Sequence, residues 1–319
     1  MDEFELIKNY FQKISNNNPY AKKLNDDVFF DKKNSIVVSV DTYNEGTHFI
    51  NFNKPSLVIK KILRSSISDL VCKGVYPKYY FISASGNKKS FRNFNLKKIV
   101  QSLRAEQNKY KIFLGGGDTV FSDKLSFTII SLGISKGIIY RNKAKFKDDI
   151  YVTGNLGDSY VGLLALKNKI QVNVALKKYF VNKYYLPNIK FSLIKNLKKI
   201  ANTSIDISDG LFADMEKLIN NQKLSYQIFL EKIPISSNLS KILKKKKLLK
   251  ENFISNGDDY EILFTANTKN RNLIKKIAKK SKTKITRIGY IKKNTTKSSV
   301  LNALNSKIIL KNKGYFHSF

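Results

Sequence analysis

The sequence predicts an α/β (α+β) protein with two domains, and three observations lead to that prediction. The chain has 319 residues, enough for two domains of ordinary size or one large domain. Short runs rich in β-branched and aromatic residues alternate with segments of helical periodicity in both halves. A lysine-rich polar connection at residues 136–148 separates the halves, so we expect domains at residues 1–137 and 138–319.

The first half begins with apolar residues at helical spacing, which predict an amphipathic helix that ends at residues 16–19. These apolar residues are Phe4, Ile7, Phe11 and Ile14. Residues 36–40 form a β-rich run that ends at Asp41, and Pro55 begins a long helical segment that stops near Gly74. The remaining predictions for this half are strands at residues 79–82, 111–114 and 125–133 and a helix at residues 90–108.

The second half continues the alternation. Residues 149–154 predict a strand, and a helix follows from about Ser159. Further strands are predicted at residues 204–207 and 260–264, with helices between them. The dense lysine run at residues 244–247 is typical of a solvated helix face. Strands that alternate with helices in both halves favour layered α/β or α+β architecture over a helical bundle or an all-β sandwich.

The net charge of +35 permits nucleic-acid binding but does not favour it. Lysine accounts for 53 of the 59 basic residues, whereas base readers and phosphate clamps favour the arginine fork. The lysines are spread along the whole chain with abundant Asn and Ile, which is typical of a genome rich in A and T. A lysine-rich nucleic-acid-binding protein stays open as an alternative, and it predicts basic and aromatic residues clustered on one face.

Histidine and cysteine are too few for several kinds of catalytic site. The two histidines, His48 and His317, cannot build a multi-histidine zinc site and leave a Ser-His-Asp triad only two candidate bases. The single cysteine, Cys72, excludes an intramolecular disulfide, and its apolar surroundings predict a core position. The acidic start of the chain and the lack of an apolar run of about 18 residues indicate a cytoplasmic protein that does not span a membrane. Catalysis would therefore depend mainly on carboxylates, backbone and metal ions.

The carboxylates carry information because 24 residues are acidic against 59 basic ones. Many occupy predicted strand ends or turns next to Gly, Ser or Thr. The set comprises Asp26, Asp27, Asp41, Asp69, Asp118, Asp206, Asp209, Asp258 and Asp259. Taken singly, each is more simply a turn residue or a cap, as Asp209 would be for a helix at residues 210–218 and Asp118 for a turn after three glycines. Carboxylates gathered in one cleft would need hard cations, and oxygen ligands select Mg²⁺ or Ca²⁺.

Glycine-rich turns accompany these carboxylates. A turn predicted at residues 115–117 would let backbone N–H groups approach phosphate oxygens, and residues 154–157 before a helix could do the same. Mg²⁺ is usually held by one or two carboxylates together with substrate phosphates. The sequence has no Walker A motif and no protein-kinase HRD or DFG set. We therefore expect a protein that binds Mg²⁺ and a polyphosphate but belongs to neither common class.

Taken in order, the motifs resemble those of the thiamine-monophosphate kinase family, in the superfamily that also holds aminoimidazole ribonucleotide synthetase and selenophosphate synthetase. They are Val40-Asp41-Thr42 with Glu45-Gly46 and His48-Phe49, Ser68-Asp69-Leu70 with Gly74, Gly116-Gly117-Asp118-Thr119, Thr153-Gly154 with Leu156-Gly157-Asp158-Ser159, Asp206-Ile207-Ser208-Asp209-Gly210-Leu211, Asp259-Tyr260-Glu261 with Phe264-Thr265, and Gly314-Tyr315. Any one piece is unspecific. The whole series, in this order and spacing, covers nearly the entire chain and is specific.

The resemblance implies a two-domain subunit. Its N-terminal domain would bind metal and ATP and pair a mixed sheet with that of a second subunit in a homodimer, and its C-terminal domain would be α/β. The implied reaction transfers the γ-phosphoryl group of ATP to the phosphate of thiamine monophosphate with several Mg²⁺ ions. The implied metal ligands are Asp27, Ser39, Val40, Asp41, Asp69, Asp118, Asp206 and Asp209. The implied contacts are Gly117, Asp118, Arg141 and Ser208 for ATP and His48, Asp258 and Tyr315 for the acceptor.

No catalytic base is expected, because the acceptor is a phosphate oxygen whose second pKa of about 6 leaves it largely ionised at neutral pH. Three positions differ from the family pattern: residues 23–25 replace a glycine-rich segment, Val40 replaces a hydroxyl residue, and Asp258 replaces Glu. Another ATP-using member of the superfamily is the alternative. A selenophosphate synthetase is disfavoured, because no cysteine lies near the N-terminus.

Overall fold

Two mixed β-sheets, one in each half of the chain, organise the fold. The computed structural model describes residues 3–15, 18–294 and 297–316, so residues 16–17, where the opening helix is predicted to end, and His317 lie outside the described part. The opening segment is helical in three pieces, α1 (Glu3–Leu6), a π-helical stretch (Ile7–Phe11) and α2 (Gln12–Ile14). The mixed α/β fold class predicted from the sequence is confirmed.

The first sheet has five strands in the order β1-β2-β5-β3-β4. These are β1 (Phe29–Asp31), β2 (Ile36–Asn44), β3 (Pro77–Gly86), β4 (Phe113–Phe121) and β5 (Ser126–Ile134). Strands β3 and β4 run parallel, and the other neighbours run antiparallel. Every strand predicted in this half is present, and β1 is additional.

Helices cover one face of this sheet and leave the other face open. Helix α3 (Pro55–Cys72) packs on β2 and β5, and α4 (Asn93–Tyr110) packs on α3. Successive residues of a strand point to opposite faces, so β2 buries Val37, Ser39 and Tyr43 under α3. On the open face the exposed apolar side chains are Phe29, Val40, Tyr79, Phe113 and Val120.

Strand β4 passes straight through the three glycines, so the turn predicted at residues 115–117 is wrong. Tyr80 pairs with Leu114 and the next residue of β3 pairs with Gly116, which makes Gly115 the extra residue of a bulge. A Cβ atom on Gly117 would lie 1.8 Å from the carbonyl oxygen of Ile82. These glycines therefore allow two parallel strands to approach closely, and pairing with β3 keeps the backbone of residues 115–117 in an extended conformation.

The second sheet has six strands in the order β11-β8-β10-β6-β9-β7. These are β6 (Asp149–Thr153), β7 (Thr203–Asp206), β8 (Leu224–Phe229), β9 (Ile262–Ala266), β10 (Ile285–Lys293) and β11 (Ser299–Leu301). Only the β8–β11 pair is parallel among these named strands. The strands predicted in this half are confirmed as β6, β7 and β9.

Seven α-helices surround the second sheet within the described residues. They are α5 (Asp158–Leu166), α6 (Val174–Tyr185), α7 (Ile194–Ile200), α8 (Leu211–Ile219), α9 (Ser237–Lys246), α10 (Glu251–Ile254) and α11 (Arg271–Lys280). The lysines at residues 244–247 are exposed at the end of α9, as predicted. Among the described residues, no helix is both long enough and apolar enough to cross a bilayer.

Helix α3 contacts elements from both halves of the chain. Cys72, near its end, is buried as predicted, and its carbonyl oxygen accepts a hydrogen bond from Ser204 on β7. In its middle, the buried Arg64 forms two hydrogen bonds of 2.8 and 2.9 Å with Glu106 on α4 and a third of 3.2 Å with the carbonyl oxygen of Pro187. A domain boundary between residues 137 and 138 stays a prediction.

We expect Glu106→Gln to lower the free energy of unfolding by about 3 kcal/mol, because it leaves the buried Arg64 guanidinium without its counter-charge. Denaturant unfolding followed by circular dichroism would measure this change. The matched control is Arg104→Gln on the exposed side of α4, which should change the same quantity by about 0.5 kcal/mol or less. A loss under about 1 kcal/mol for Glu106→Gln would show that the ion pair does not hold α3 to α4.

Candidate active site

Carboxylates from three elements meet where β2, the end of α3 and the end of β7 come together. Ser39 Oγ donates a hydrogen bond of 2.5 Å to Asp69 Oδ2 and lies 3.4 Å from Asp41 Oδ2. Asp206 is buried at the end of β7, and its Oδ2 has no hydrogen-bond partner among the described residues. The structure therefore brings together four of the predicted metal ligands, which lie far apart in the sequence.

Burial and mutual repulsion raise the pKa values of these carboxyl groups. Burial raises the pKa of Asp41 to about 6. Burial, together with the nearby Asp214 and Asp41 carboxylates, raises the pKa of Asp206 to about 7. Burial and the neighbouring Asp41 and Asp206 carboxylates also raise the pKa of Asp69 well above its ordinary value. A cation bound among them would relieve both effects.

A second cluster joins two acidic residues to two cations. The ammonium of Lys73, which is fully buried, lies 2.8 Å from Asp26 Oδ1 and 2.5 Å from Asp27 Oδ2 and donates to the carbonyl oxygen of Ser204 at 2.8 Å. The guanidinium of Arg141 also pairs with Asp27. Although burial disfavours its charge, the Asp26 carboxylate raises the pKa of Lys73. Asp27 and Arg141, predicted to bind metal and ATP, thus contact each other, and Lys73 is a member that the sequence did not indicate.

A third cluster follows β7. Asp214 on α8 accepts hydrogen bonds from the backbone N–H groups of Asp209 at 3.0 Å and Gly210 at 3.1 Å. The prediction of Asp209 as a helix cap is wrong, because Gly210 is the N-cap of α8 and no side chain among the described residues caps it. The Asp209 side chain instead pairs with Lys217. The predicted acceptor residue Tyr315 lies beside this cluster, since its backbone N–H donates to the carbonyl oxygen of Asp209 at 2.9 Å.

The predicted acceptor residues His48 and Asp258 lie on the two sides of Tyr184. The Tyr184 hydroxyl donates to the carbonyl oxygen of His48 at 3.1 Å, and the Lys61 ammonium lies between the Tyr184 ring and Asp258. The backbone N–H of Asp258 also donates a hydrogen bond of 2.8 Å to the carbonyl oxygen of Ser208, which is predicted to contact ATP. Lys61 and Tyr184 are further members of this site that the sequence did not indicate.

Asp118 and Val40 do not join these clusters within one chain. Ser83 pairs with Asp118 on one side and with Thr128 on the other, and Thr128 pairs with Thr42. Asp118 is therefore three strand spacings, or about 14 Å, from β2. Strand alternation places the exposed Val40 and Asp118 on the open face of the sheet, opposite the face that carries Asp41. Only the backbone of Val40 could bind a metal ion, because its side chain is apolar.

Two acidic residues of the 259–261 motif have structural partners. Asp259 accepts hydrogen bonds from the Gly157 backbone at 2.9 Å and the Ser159 hydroxyl at 2.8 Å, at the start of α5. Glu261 pairs with Lys190 at 2.7 Å and accepts from Thr153 at 2.5 Å. These bonds attach the turn that carries Asp258 to the strand and helix beside it.

The donor atoms fit magnesium. Within residues 3–15, 18–294 and 297–316, no group of three or more His, Cys, Asp or Glu side chains is already arranged to hold a metal ion. Mg²⁺, however, commonly takes one or two protein carboxylates and completes its shell with water and phosphate oxygens. All the possible metal ligands in these clusters are oxygen atoms. Among them, the buried Asp206 Oδ2, which has no hydrogen-bond partner among the described residues, is suited to a hard cation.

Comparison with known proteins defines the class of the fold and site. Residues 25–135 match the family described as AIR synthase related protein, N-terminal domain. A solved structure described as AaThiL complexed with AMPPCP and TMP superposes with a TM-score of 0.86 at 26% identity, covering 99% of this chain and 97% of that chain. The chain thus has the fold of an AIR-synthase-related protein.

Curated relatives define the family within that class. The thiamine-monophosphate kinase of Buchnera aphidicola subsp. Acyrthosiphon pisum is 37% identical over 99% of this chain and 98% of its own length. That of Bacillus subtilis is 29% identical over 99% of both chains. The chain belongs to the thiamine-monophosphate kinase family and is a kinase, which confirms the resemblance seen in the motifs.

We expect Asp206→Asn to raise the melting temperature of the metal-free protein by roughly 2–4 °C, because it removes a buried carboxylate that repels Asp41 and Asp214 and whose Oδ2 has no hydrogen-bond partner among the described residues. The same change should diminish the stabilisation that Mg²⁺ adds. Thermal unfolding with and without Mg²⁺ would measure both effects.

The matched control for that prediction is Asp148→Asn. Asp148 is equally buried, but it accepts hydrogen bonds from Asn202 and Thr265, so its substitution should lower the melting temperature. If Asp206→Asn destabilised the metal-free protein as much as Asp148→Asn, Asp206 would be a structural residue and not a strained ligand.

Proposed function

We infer that the protein transfers the γ-phosphoryl group of ATP to the phosphate of thiamine monophosphate and so makes thiamine diphosphate. The observation that carries this inference is that the Asp41, Asp69 and Asp206 cluster lies next to His48 and Asp258, the two residues on either side of Tyr184. Tyr43 links them, because it follows the Asp41 segment on β2 and its ring lies 5.8 Å from that of His48. The names of the relatives support this reaction, and AMPPCP in the solved relative is an ATP analogue.

Magnesium ions, when bound, would neutralise the phosphates of both substrates and the charge that develops during transfer. Asp27, Asp41, Asp69, Asp206 and Asp209 would hold them, with Ser39 orienting the carboxylates of β2 and α3. Two polyanions must approach each other in this reaction, so electrostatic stabilisation is the main demand on the protein.

The ATP side of the site lies near Asp26 and Arg141. A cavity of about 470 Å³ is lined there by Lys22, Lys23, Asp26, Tyr140, Arg141 and Lys143, together with neutral residues. Its positive side chains suit a polyphosphate. We propose that Arg141 and Ser208 contact ATP from this side and that Gly117 and Asp118 contact it as well.

The acceptor side needs no catalytic base. The terminal phosphate of thiamine monophosphate is largely ionised at neutral pH and can attack directly. His48, Asp258 and Tyr315 would bind and orient the acceptor. Because they lie beside the carboxylate clusters, the acceptor phosphate would face the phosphates of ATP at the proposed metal site.

A homodimer would complete the site. The open face of the first sheet carries several exposed apolar side chains, and its edge strand β4 is exposed along its whole length. Asp118 lies on that face, so in a two-fold dimer it could approach the metal site of the other subunit although it is distant from its own. We propose this arrangement, with residues 1–137 as the dimerisation domain and residues 138–319 as the second domain.

The purified protein should phosphorylate thiamine monophosphate with ATP and Mg²⁺ and should phosphorylate free thiamine little or not at all, because the acceptor group is a phosphate. Chromatographic detection of thiamine diphosphate would measure the product. Reactions without Mg²⁺ and with Asp69→Asn protein are the controls, and both should lose at least about two orders of magnitude in rate. Free thiamine as the better acceptor would overturn the proposed reaction.

The position of Asp118 leads to a complementation test. Asp118→Asn and Asp69→Asn should each lose at least about two orders of magnitude in turnover as single variants. If Asp118 acts on the other subunit, mixed dimers contain one intact site, and refolding the two variants together should restore about a quarter of the wild-type rate. Sedimentation would verify the dimer. Lack of any recovery in verified mixed dimers would place Asp118 in the site of its own chain or in none.

A further inference from the structure

Lys61 is buried in the middle of α3, with a side chain only 1% exposed. A lysine in such a position is rare unless it is paired. Its ammonium lies 2.7 Å from Asp258 Oδ1 and 3.5 Å from the centre of the Tyr184 ring, which gives it an ion pair and a cation–π contact. Since it is shielded from solvent, Lys61 does not itself reach a bound substrate.

The Asp258 carboxylate has one fixed oxygen and one free oxygen. Oδ1 faces Lys61 and also accepts a hydrogen bond from the Tyr260 hydroxyl at 3.2 Å. Oδ2 receives no hydrogen bond from the residues that the structure describes, and the side chain is 28% exposed. The contacts at Oδ1 therefore fix the orientation of the carboxylate, and Oδ2 is left accessible to a ligand.

The backbone around Asp258 is also held in a specific conformation. Asp258 and Tyr260 both have positive φ angles, of 67° and 49°. Their N–H groups donate to the carbonyl oxygens of Ser208 at 2.8 Å and Ile207 at 2.9 Å. A non-glycine residue with this conformation persists where its surroundings determine it, which is common at binding sites.

Tyr184 connects the same ammonium to the other acceptor residue. Its ring is buried against Lys61, and its hydroxyl donates to the carbonyl oxygen of His48 at 3.1 Å. One buried ammonium thus contacts both the carboxylate and the aromatic wall of the pocket. Burial lowers the pKa of Lys61, and the Asp258 carboxylate opposes that effect.

The geometry points to Lys61 as a positioning residue for the acceptor substrate: it holds Asp258 so that Oδ2 faces a cationic heteroaromatic ring. The inference rests on the proposed function. Thiamine monophosphate carries a thiazolium cation and an aminopyrimidine, and an oriented carboxylate beside aromatic rings suits either a ring cation or an N–H donor. Lys61 acts on the acceptor and not on ATP, because its contacts all lie on the acceptor side.

The test compares Lys61→Met, which keeps an unbranched apolar side chain as far as Cε and removes the ammonium, with Lys190→Met. Lys190 is also a buried lysine, paired with Glu261 at 2.7 Å in a structural position. Lys61→Met should raise the KM for thiamine monophosphate about tenfold and leave kcat and the KM for ATP within about twofold. Lys190→Met removes a buried charge near the same turn but no contact with Asp258 itself, so it should change the KM for thiamine monophosphate by less than about twofold and leave kcat and the KM for ATP unchanged. Lys61→Gln is measured in parallel, so that a folding defect of one substitution does not decide the result.

A double-mutant cycle with Asp258→Asn tests whether Lys61 acts through Asp258. In the Asp258→Asn background, Lys61→Met should change the KM for thiamine monophosphate by less than about twofold, because the carboxylate that it orients is already lost. Calorimetric binding of thiamine monophosphate would verify that KM reports affinity.

The outcomes separate this inference from the proposed function. An active wild-type enzyme with an unchanged acceptor KM in Lys61→Met and Lys61→Gln would overturn the positioning role alone. Equal effects of Lys61→Met with and without Asp258→Asn would overturn it as well. Wild-type protein that makes no thiamine diphosphate would overturn the proposed function and, with it, this inference.

Discussion

The active site depends on one electrostatic constraint, which is that several carboxylates lie close together where water is largely excluded. Like charges in such surroundings are costly unless cations compensate them. The chain supplies part of that compensation through Lys73, Arg141 and Lys217, each paired with acidic residues. Among the described residues it leaves Asp206 Oδ2 without a hydrogen-bond partner, and the pKa of Asp206 stays raised by burial and by the nearby carboxylates. A divalent cation would neutralise the remaining negative charge. The same charge that lowers the stability of the metal-free protein would therefore raise its affinity for the cation.

Most of the fold could be predicted from the sequence, because hydrophobic periodicity reports which face of a segment is buried. The helix that begins at Pro55 and the strands around residues 36–40 and 149–154 are of this kind. The glycines of β4 could not be predicted correctly by such reasoning. Glycine favours turns in isolation, whereas here a parallel neighbour leaves no room for side chains, and that neighbour is visible only in the folded sheet.

The candidate site could be predicted in part. Motif order indicated Asp41, Asp69 and Asp206, and the fold brings them together. The lysines that organise the site have no local signature in a chain with 53 lysines, because the partner of Lys61 lies nearly 200 positions away in the sequence. Asp118 shows a different limit of prediction from sequence. Its motif is clear, but the sheet places it on a different face from Asp41, and no pattern within one chain could show that.

Helix α3 carries Lys61 beside the residues proposed to bind the acceptor and Asp69 beside the carboxylates proposed to bind metal ions. An α-helix rises about 1.5 Å per residue, so these two residues are separated by about 12 Å along its axis. In the proposed arrangement the helix therefore sets the distance between the two substrates. Arg64, which lies between Lys61 and Asp69, attaches the helix to α4. A single inserted or deleted residue between Lys61 and Asp69 would rotate one end by about 100° against the other. In the proposed arrangement, the number of residues between Lys61 and Asp69 is therefore fixed by the distance between the two substrates.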